Sequence, residues 1–548
     1  MDFLRTGIIF FLFCFTSQQF AFSQTATWNW AKNNGGKNDD IVESSSRDNN
    51  TLSVSGAFYS DTILLDKFSF VNTDSTQKTS DAFVAEYDEA GNIIWATTIG
   101  GPGEEHATAA KTGLFIETYL AGTFTSENIM VDTFQLHNLD GHTSSFFIKY
   151  FKEQAVWVKT FQDASIKAMA IDPETGKIAI TGTFTVPSLK LGPNTLLNKG
   201  GSDIFIALYD SNGNLIGARS LGAEGDENVN FINATPSYKT FCICGSSTSQ
   251  SWNNKGGKDI FIATYNSELQ FQWKRDIGGT EEDEAVCIKQ NFDENIYVTG
   301  NFSSPSISFD NITLTNNGNG GNSFLAQYDA DGHIQWANAI GGINGNGMVK
   351  VKGMGVSYTH SRKQVYIAGQ FTTPNISFDN YLLSNNGSSN LFMVFYSTQG
   401  NVEEALTATA SQTNSNVVGI HQDNSNNILT VGNFRSDDIQ FGPNQLTNTG
   451  PTGTSDFFIT LTHTVTDISG WTNNKFVSVY PNPTTGKINL KSNKSRIEKI
   501  RVFSSLGQII LSAQDRLEID LSGEKPGVYF IEIQTKEHEF LYEKIILR

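Results

Sequence analysis

The chain reads as a succession of short strands. Apolar runs with a period of two, such as Phe205-Ile206-Ala207-Leu208-Tyr209, are bounded by turns rich in Gly, Asn and Asp. No stretch of useful length carries a helical period. The pattern predicts an all-β protein.

Three phrases repeat along it. The first is a strand ending in Gly, a small residue and Phe: Gly56-Ala57-Phe58, Gly122-Thr123-Phe124, Gly182-Thr183-Phe184, Gly300-Asn301-Phe302, Gly369-Gln370-Phe371 and Gly432-Asn433-Phe434, with Gly245-Ser246-Ser247 as a degenerate copy. The second sets a polar residue two before a Phe that opens a strand: Asp81 before Phe83, Ser144 before Phe146, Asp203 before Phe205, Asp259 before Phe261, Asn322 before Phe324, Asn390 before Phe392 and Asp456 before Phe458. The third closes the unit: Trp95-Ala96 then Gly100-Gly101, Trp273-Lys274 then Gly278-Gly279, Trp336-Ala337 then Gly341-Gly342, with Trp157 and Gly217 in weaker copies.

Each unit thus predicts four strands. In one copy these are Ala285 to Gln290, Asn295 to Phe302, Phe324 to Tyr328 and a last strand holding Trp336; a small hairpin near Ile307 to Asn311 follows the second strand. Such a unit cannot bury both faces alone, whereas units stacked around an axis can. Residues 24–465 are therefore expected to form a seven-bladed β-propeller. Trp28-Asn29-Trp30-Ala31, followed by Gly35-Gly36, matches the closing strand of a unit whose other three strands are missing there. The last copy, ending near Thr462, lacks that strand. The N-terminal strand is expected to complete the last blade and close the ring.

The repeat wording, as in Asp203-Ile204-Phe205-Ile206-Ala207-Leu208-Tyr209-Asp210, resembles the bacterial β-propeller repeats (SBBP-like) of surface proteins over about residues 25–465. That resemblance implies a fold and no particular reaction.

A polar linker, residues 466–476, ends the repeat. Residues 477–548 predict about seven short strands, a small Ig-like β-sandwich. They carry Tyr480-Pro481-Asn482-Pro483 with Gly486, then Leu506-Gly507, then Gly527 with Tyr529, then Lys544 in a basic and apolar end. This order resembles the type A C-terminal sorting domain of the type IX secretion system. The resemblance implies handover to that secretion machinery after Sec export, then release or attachment at the outer surface.

The N-terminus agrees. Residues 1–23 read as a signal peptide, with Arg5, an apolar run from Ile8 to Phe15, and Ala21-Phe22-Ser23 before a cut at Gln24. No later stretch is apolar enough for a transmembrane segment, so the mature chain is expected to be secreted or surface-attached. A net charge of −18 argues against nucleic acid as a partner. Cys14 falls in the leader. Cys242, Cys244 and Cys287 form no disulfide framework and read as small buried residues, with a bridge from Cys287 left open.

Chemistry is sparse. The eight His residues form no metal motif, and His137 and His142 sit together in a loop without evident partners. No nucleophile elbow or phosphate loop is present, so no catalytic residue is singled out. Carboxylates do follow the Gly-Gly loops at matching positions: Asp39-Asp40, Glu104-Glu105, Asp226-Glu227 and Glu282-Asp283. Asp40, Glu105, Glu227 and Asp283 are candidates for a ring holding Ca²⁺ or a cationic group; the other reading is that they cap the turn. The polar residues before the third strand read as caps of their own backbone, and the repeated Trp residues as packing anchors. The regular repeats favour a non-catalytic module binding an extracellular glycan or protein. The alternatives are a hydrolase or lyase acting on polysaccharide or peptide, and a structural adhesin.

Overall fold

The computed structural model describes residues 27–548, apart from 49–50, 75, 77, 114–116, 140, 236–239, 292, 317–319, 343–346, 358–362, 386–388, 411–414, 424, 426, 464–476, 493–495, 505–508, 515 and 536–539. The expected signal peptide and the expected linker 466–476, with His360, His538, Leu506 and Gly507, thus lie outside the described residues. The chain forms two compact units, one spanning Ala26–Thr464 and the other holding Val465–Arg548.

The larger unit is built from antiparallel sheets that each follow the four-strand order read from the repeat. In one, Asp283–Gln290, Ile296–Phe302, Asn322–Tyr328 and Ile334–Ile340 lie side by side in chain order. The sheets, numbered 1 to 7 below, begin with Asp40–Asp48, Glu105–Thr112, Ala164–Ile171, Glu227–Thr235, Asp283–Gln290, Val349–Val356 and Asn416–Gln422. Each first strand lies against the first strand of the next sheet, and that of sheet 7 lies against that of sheet 1.

This stacking explains the sequence pattern. Third strands such as Asp81–Tyr87, Asp203–Tyr209 and Asn322–Tyr328 are buried at every residue. A strand covered on both faces reads as a nearly continuous apolar run. Apolar cores fill the spaces between neighbouring sheets. One joins Cys242, Cys244, Ile260 and Ile262 of sheet 4 to Ile288, Val298 and Phe324 of sheet 5. Another joins Leu429, Val431, Phe457 and Ile459 of sheet 7 to Val42, Val54 and Phe83 of sheet 1. Each large side chain so buried stabilises the fold by about 2 kcal/mol. Every first strand also carries a bulge just after its second or third residue, as between Val42 and Ser44, Ala285 and Cys287 or Val417 and Gly419.

Sheet 7 takes its fourth strand from the other end of the unit. Thr27–Asn34 pairs antiparallel with Asp456–His463, placing Trp30 opposite Leu461 and Asn33 opposite Phe458. Trp30, not Trp28, is the repeat tryptophan. It pairs three residues beyond Phe458, as Trp273 pairs with Thr264 beyond Phe261 and Trp336 with Gln327 beyond Phe324. Gly35 packs on Asp456 as Gly100 packs on Asp81 and Gly278 on Asp259, each so closely that a Cβ would collide with the carboxylate.

A two-stranded hairpin follows the second strand in sheets 1, 2, 3, 5, 6 and 7. In sheet 4, where the Gly-x-Phe phrase is degenerate, a 3₁₀ turn over Gln250–Trp252 replaces it.

The smaller unit has a three-stranded sheet (Val477–Tyr480, Lys487–Ser492, Glu518–Asp520) and a four-stranded one (Ile509–Gln514, Ile497–Ser504, Gly527–Thr535, Phe540–Leu547). Ile488, Leu490 and Ile519 of the first share one core with Ile500, Val502, Ile531 and Ile545 of the second.

Candidate functional site

The four candidate carboxylates are not displayed to a ligand. Asp40, Glu105, Glu227 and Asp283 are at most 1% exposed, and each is held inside its own junction between sheets. Asp283 accepts the Ser304 hydroxyl at 2.7 Å, the Gly279 amide at 2.9 Å and the Ser303 amide at 3.1 Å. Asp40 accepts the Ser60 hydroxyl at 2.8 Å, and Glu227 accepts the hydroxyls of Ser247 and Ser249 at 2.8 and 2.5 Å. Burial and a neighbouring Asp of the preceding sheet, Asp456 for Asp40 and Asp81 for Glu105, push both carboxyls up to about 7. The cation-ring expectation is corrected accordingly: period-two alternation turns these side chains inward, where they clamp the turn. Among the described residues no group of three or more His, Cys, Asp or Glu is arranged to hold a metal ion.

Their partners one residue earlier do reach the surface. Glu104 accepts the Tyr59 hydroxyl and the Ser80 hydroxyl, both at 2.9 Å. His106 Nδ1 meets Glu43 at 2.5 Å, and its Nε2 lies 3.6 Å from Glu104. The bond to Glu43 raises the His106 pKa against the opposing effect of burial. Burial and Glu104 together push Tyr59 up to about 12, so its hydroxyl stays a donor. The bulge in the first strand carries Glu43 to this cluster.

Beside it lies a cleft of about 310 Å³ lined by Asn38, Asp39, Tyr59, Gly453 and Thr454. It opens where the two ends of the repeat region meet. Arg435 borders it, 3.1 Å from Asp39 and 3.2 Å from the Gly453 carbonyl. Glu43, Tyr59, Ser80 and Arg435 were not marked by sequence reasoning, although a signal was present. The residue after the Gly-x-Phe phrase is Thr125, Thr185, Thr248, Ser303 or Thr372 in five copies, and Tyr59 or Arg435 in the other two. Thr125, Thr248 and Thr372 cap the next loop amide at 2.7–2.8 Å. Tyr59 and Arg435, in adjacent sheets, point the repeat at a ligand-sized space.

The remaining candidates have structural surroundings. His137 bonds Asn128 at 2.6 Å, and His333 bonds Asp329 at 3.2 Å. Cys242, Cys244 and Cys287 are free and buried, and burial raises all three thiols. The repeat tryptophans lock neighbouring sheets: Trp157, Trp273 and Trp336 lie on the turns at Gly213, Gly332 and Gly400 of the next sheet, and Trp30 lies on that at Gly91.

In the smaller unit the Tyr-Pro-Asn-Pro phrase clasps the two ends together. Asn482 accepts the Ile546 amide at 2.9 Å and donates to the Lys544 carbonyl. Thr484 donates its amide to Ile546 at 2.8 Å and accepts that of Arg548 at 2.9 Å. Tyr529 donates to the Lys525 carbonyl at 2.7 Å, and Gly527 pairs with Leu547. Tyr480 stays 48% exposed.

No curated protein matches the chain. Among solved structures it is similar to Sqt1 from Chaetomium thermophilum, at 8% identity and a TM-score of 0.39, over 78% of this chain and 88% of that one. It is also similar to the Pan2 WD40 domain of Neurospora crassa, at 8% identity and a TM-score of 0.36, over 78% and 90% of the two chains. Residues 478–548 match the family model of the secretion system C-terminal sorting domain, so the clasped C-terminal unit is a sorting domain of that family.

Proposed function

We propose that the mature chain is an extracytoplasmic binding protein, delivered to the surface or the medium by the type IX machinery through its sorting domain, and that it holds a glycan without turning it over. In this reading residues 24–465 form a seven-bladed propeller closed by the N-terminal strand, and residues 477–548 form an Ig-like sandwich. The pairing of Thr27–Asn34 with Asp456–His463 supports the closed ring. One observation carries the binding site: Tyr59 and Arg435 replace the small hydroxyl residues of the repeat at one cleft, Tyr59 in its lining and Arg435 bonded to Asp39 and Gly453 of that lining. A Tyr ring beside the Asp39–Arg435 pair and Asn38 offers an apolar face and directed hydrogen bonds, which is what a sugar ring needs.

The mature chain applied to a glycan array should bind a defined set of sugars, and Tyr59→Ala should weaken that binding about tenfold. Retention of full affinity by Tyr59→Ala would remove the cleft from the reading. A hydrolytic alternative draws on the His106–Glu43 contact beside the same cleft; release of reducing ends or peptide fragments by the wild-type chain, abolished in Glu43→Gln, would establish it instead.

A further inference from the structure

Sheet 7 breaks the repeat at one buried position of its closing strand. Asn34 pairs with Phe457, one residue before the Phe458 that marks the third strand. At the same register the other sheets carry Ile99, Phe161, Leu221, Ile277, Ile340 and Ala408, opposite Ala82, Ser145, Ile204, Ile260, Ser323 and Leu391. Those apolar side chains seal the junction with the next sheet. Ile99 shares a core with Ile129, Val131 and Leu136 of the following hairpin, Ile277 with Ile307, Phe309 and Leu314, and Ile340 with Ile376, Phe378 and Leu383. The hairpin of sheet 1 buries Ile63 and Leu65 in the same way, but sheet 7 brings a carboxamide to that junction.

A cleft of about 480 Å³ lies there, with Asn34, Asp66, Tyr87, Leu64, Leu446 and Thr449 in its lining. It shares no lining residue with the cleft at Tyr59. Asn34 is 9% exposed; its amide nitrogen meets the Tyr87 hydroxyl at 3.4 Å, and its oxygen accepts the Asp66 amide at 3.2 Å. Burying a carboxamide on such long bonds, where six sheets bury an apolar group, is costly unless a ligand completes its hydrogen bonding. Asp66 makes no ion pair among the described residues, and Lys32, also at this cleft, is held by the Gly91 carbonyl at 2.7 Å and the Asn92 side chain at 3.0 Å. One carboxylate and one ammonium leave the cleft without net charge. A ligand must therefore offer an acceptor to Asn34, a donor to Asp66 and an apolar face to Leu64 and Leu446. A sugar ring has all three, in its hydroxyls and its C–H face.

We propose that this cleft is a second binding site, taking one uncharged sugar residue whose hydroxyls are held by Asn34 and Asp66. The site needs only the pairing of the N-terminal strand into sheet 7 and the packing of sheet 7 on sheet 1. It stands whether or not the cleft at Tyr59 binds a glycan.

The test uses the mature chain carrying Tyr59→Ala, titrated with the methyl glycosides of glucose, galactose, mannose, fucose and N-acetylglucosamine, with binding read by saturation-transfer NMR. At least one glycoside should bind saturably, and Asn34→Leu and Asp66→Asn should each weaken that binding about tenfold. Asn34→Leu restores the residue type of the other sheets, so it should melt at or above the temperature of its parent. Asp66→Asn keeps a side chain that tolerates the φ of 51° at that position. Saturable binding by none of the glycosides, or binding unchanged in either variant, overturns the site. A lower melting temperature for Asn34→Leu also overturns it, because Asn34 would then serve the fold. With Tyr59→Ala present throughout, these signals report this cleft alone, and a failure of the Tyr59 cleft leaves them unchanged.

Discussion

Buried carboxyls stand in pairs where one sheet hands over to the next. Asp456 faces Asp40, Asp81 faces Glu105, Asp203 faces Glu227 and Asp259 faces Asp283. The junctions without such a pair show what it does. Ala164 and Val186 replace acid and serine together in sheet 3. In sheets 6 and 7 the acid position is Val349 or Ser415, and Thr373, Ser415 and Ser436 are left buried with no hydroxyl partner. Acid and serine therefore act as one unit. Asp283→Ala should cost on the order of 3 kcal/mol, because it strands the Ser304 hydroxyl and three amides. Adding Ser304→Val, which copies the sheet 3 junction, should recover about 1 kcal/mol in denaturant melts; strictly additive losses would refute the coupling. The pairs also set a pH dependence. Like charges in a dry junction cannot both ionise, so burial raises Asp40 and Glu105 to about 7. A carboxyl with a raised folded-state pKa contributes stability that is complete below the ordinary carboxylate range and is lost as pH climbs through about 7. The melting temperature should fall between pH 5 and pH 8, and Glu105→Gln, which removes the charge facing Asp81, should flatten that fall. A melting temperature that rises over this range would contradict the assignment.

At the scale of the element, the N-terminal strand carries the most consequence. Gly91 has φ of 73° and lies 2.6 Å, as a hypothetical Cβ, from the Trp30 ring, so this turn accepts neither a side chain nor another backbone shape. Lys32 adds a 2.7 Å bond to the Gly91 carbonyl. Trp30→Ala should destabilise the larger unit by about 2 kcal/mol and speed amide exchange across Thr27–Asn34; protection equal to wild type would mean the strand is held by other means. Trp28 packs instead on Phe441 at 5.0 Å, in the outer hairpin of sheet 7, and its loss should leave that strand's exchange nearly unchanged. Much of this was legible in the chain. The Gly-x-Phe phrase, the polar residue before Phe and the split closing strand each mark a backbone position that hydrogen bonding repeats in every sheet. The candidate cleft was not legible, because Tyr59, Asp39 and Arg435 meet only when strands nearly four hundred residues apart are joined. The carboxylate ring was misread for a related reason. A run such as Glu104-Glu105 looks like one acidic surface, yet alternation sends Glu104 outward to Tyr59 and Glu105 inward to Ser126.

For the whole molecule, the decisive fact is that structure and address have separate cores. Among the described residues the buried apolar cluster of the smaller unit runs from Ile488 to Leu547, with Val479 packed against it, and the clusters of the larger unit run no further than Phe458 and Leu461. Every described strand of the sheet stack lies within Ala26–Thr464, so losing residues 477–548 removes none of them. The clasp made by Asn482 and Thr484 closes on Lys544, Ile546 and Arg548 of its own unit. Deleting 477–548 should therefore leave the melting transition of the larger unit within about 1 kcal/mol of its value in the full chain. In a cell with a type IX system the same deletion should strand the folded protein in the periplasm, because the sorting domain has gone while the larger unit is intact. Recovery of the truncated chain from the medium would separate export from this domain, and a collapsed melting transition would show that the two cores are coupled after all. The two readouts fail independently, because export depends on the sorting domain and the melting transition on packing inside the sheets.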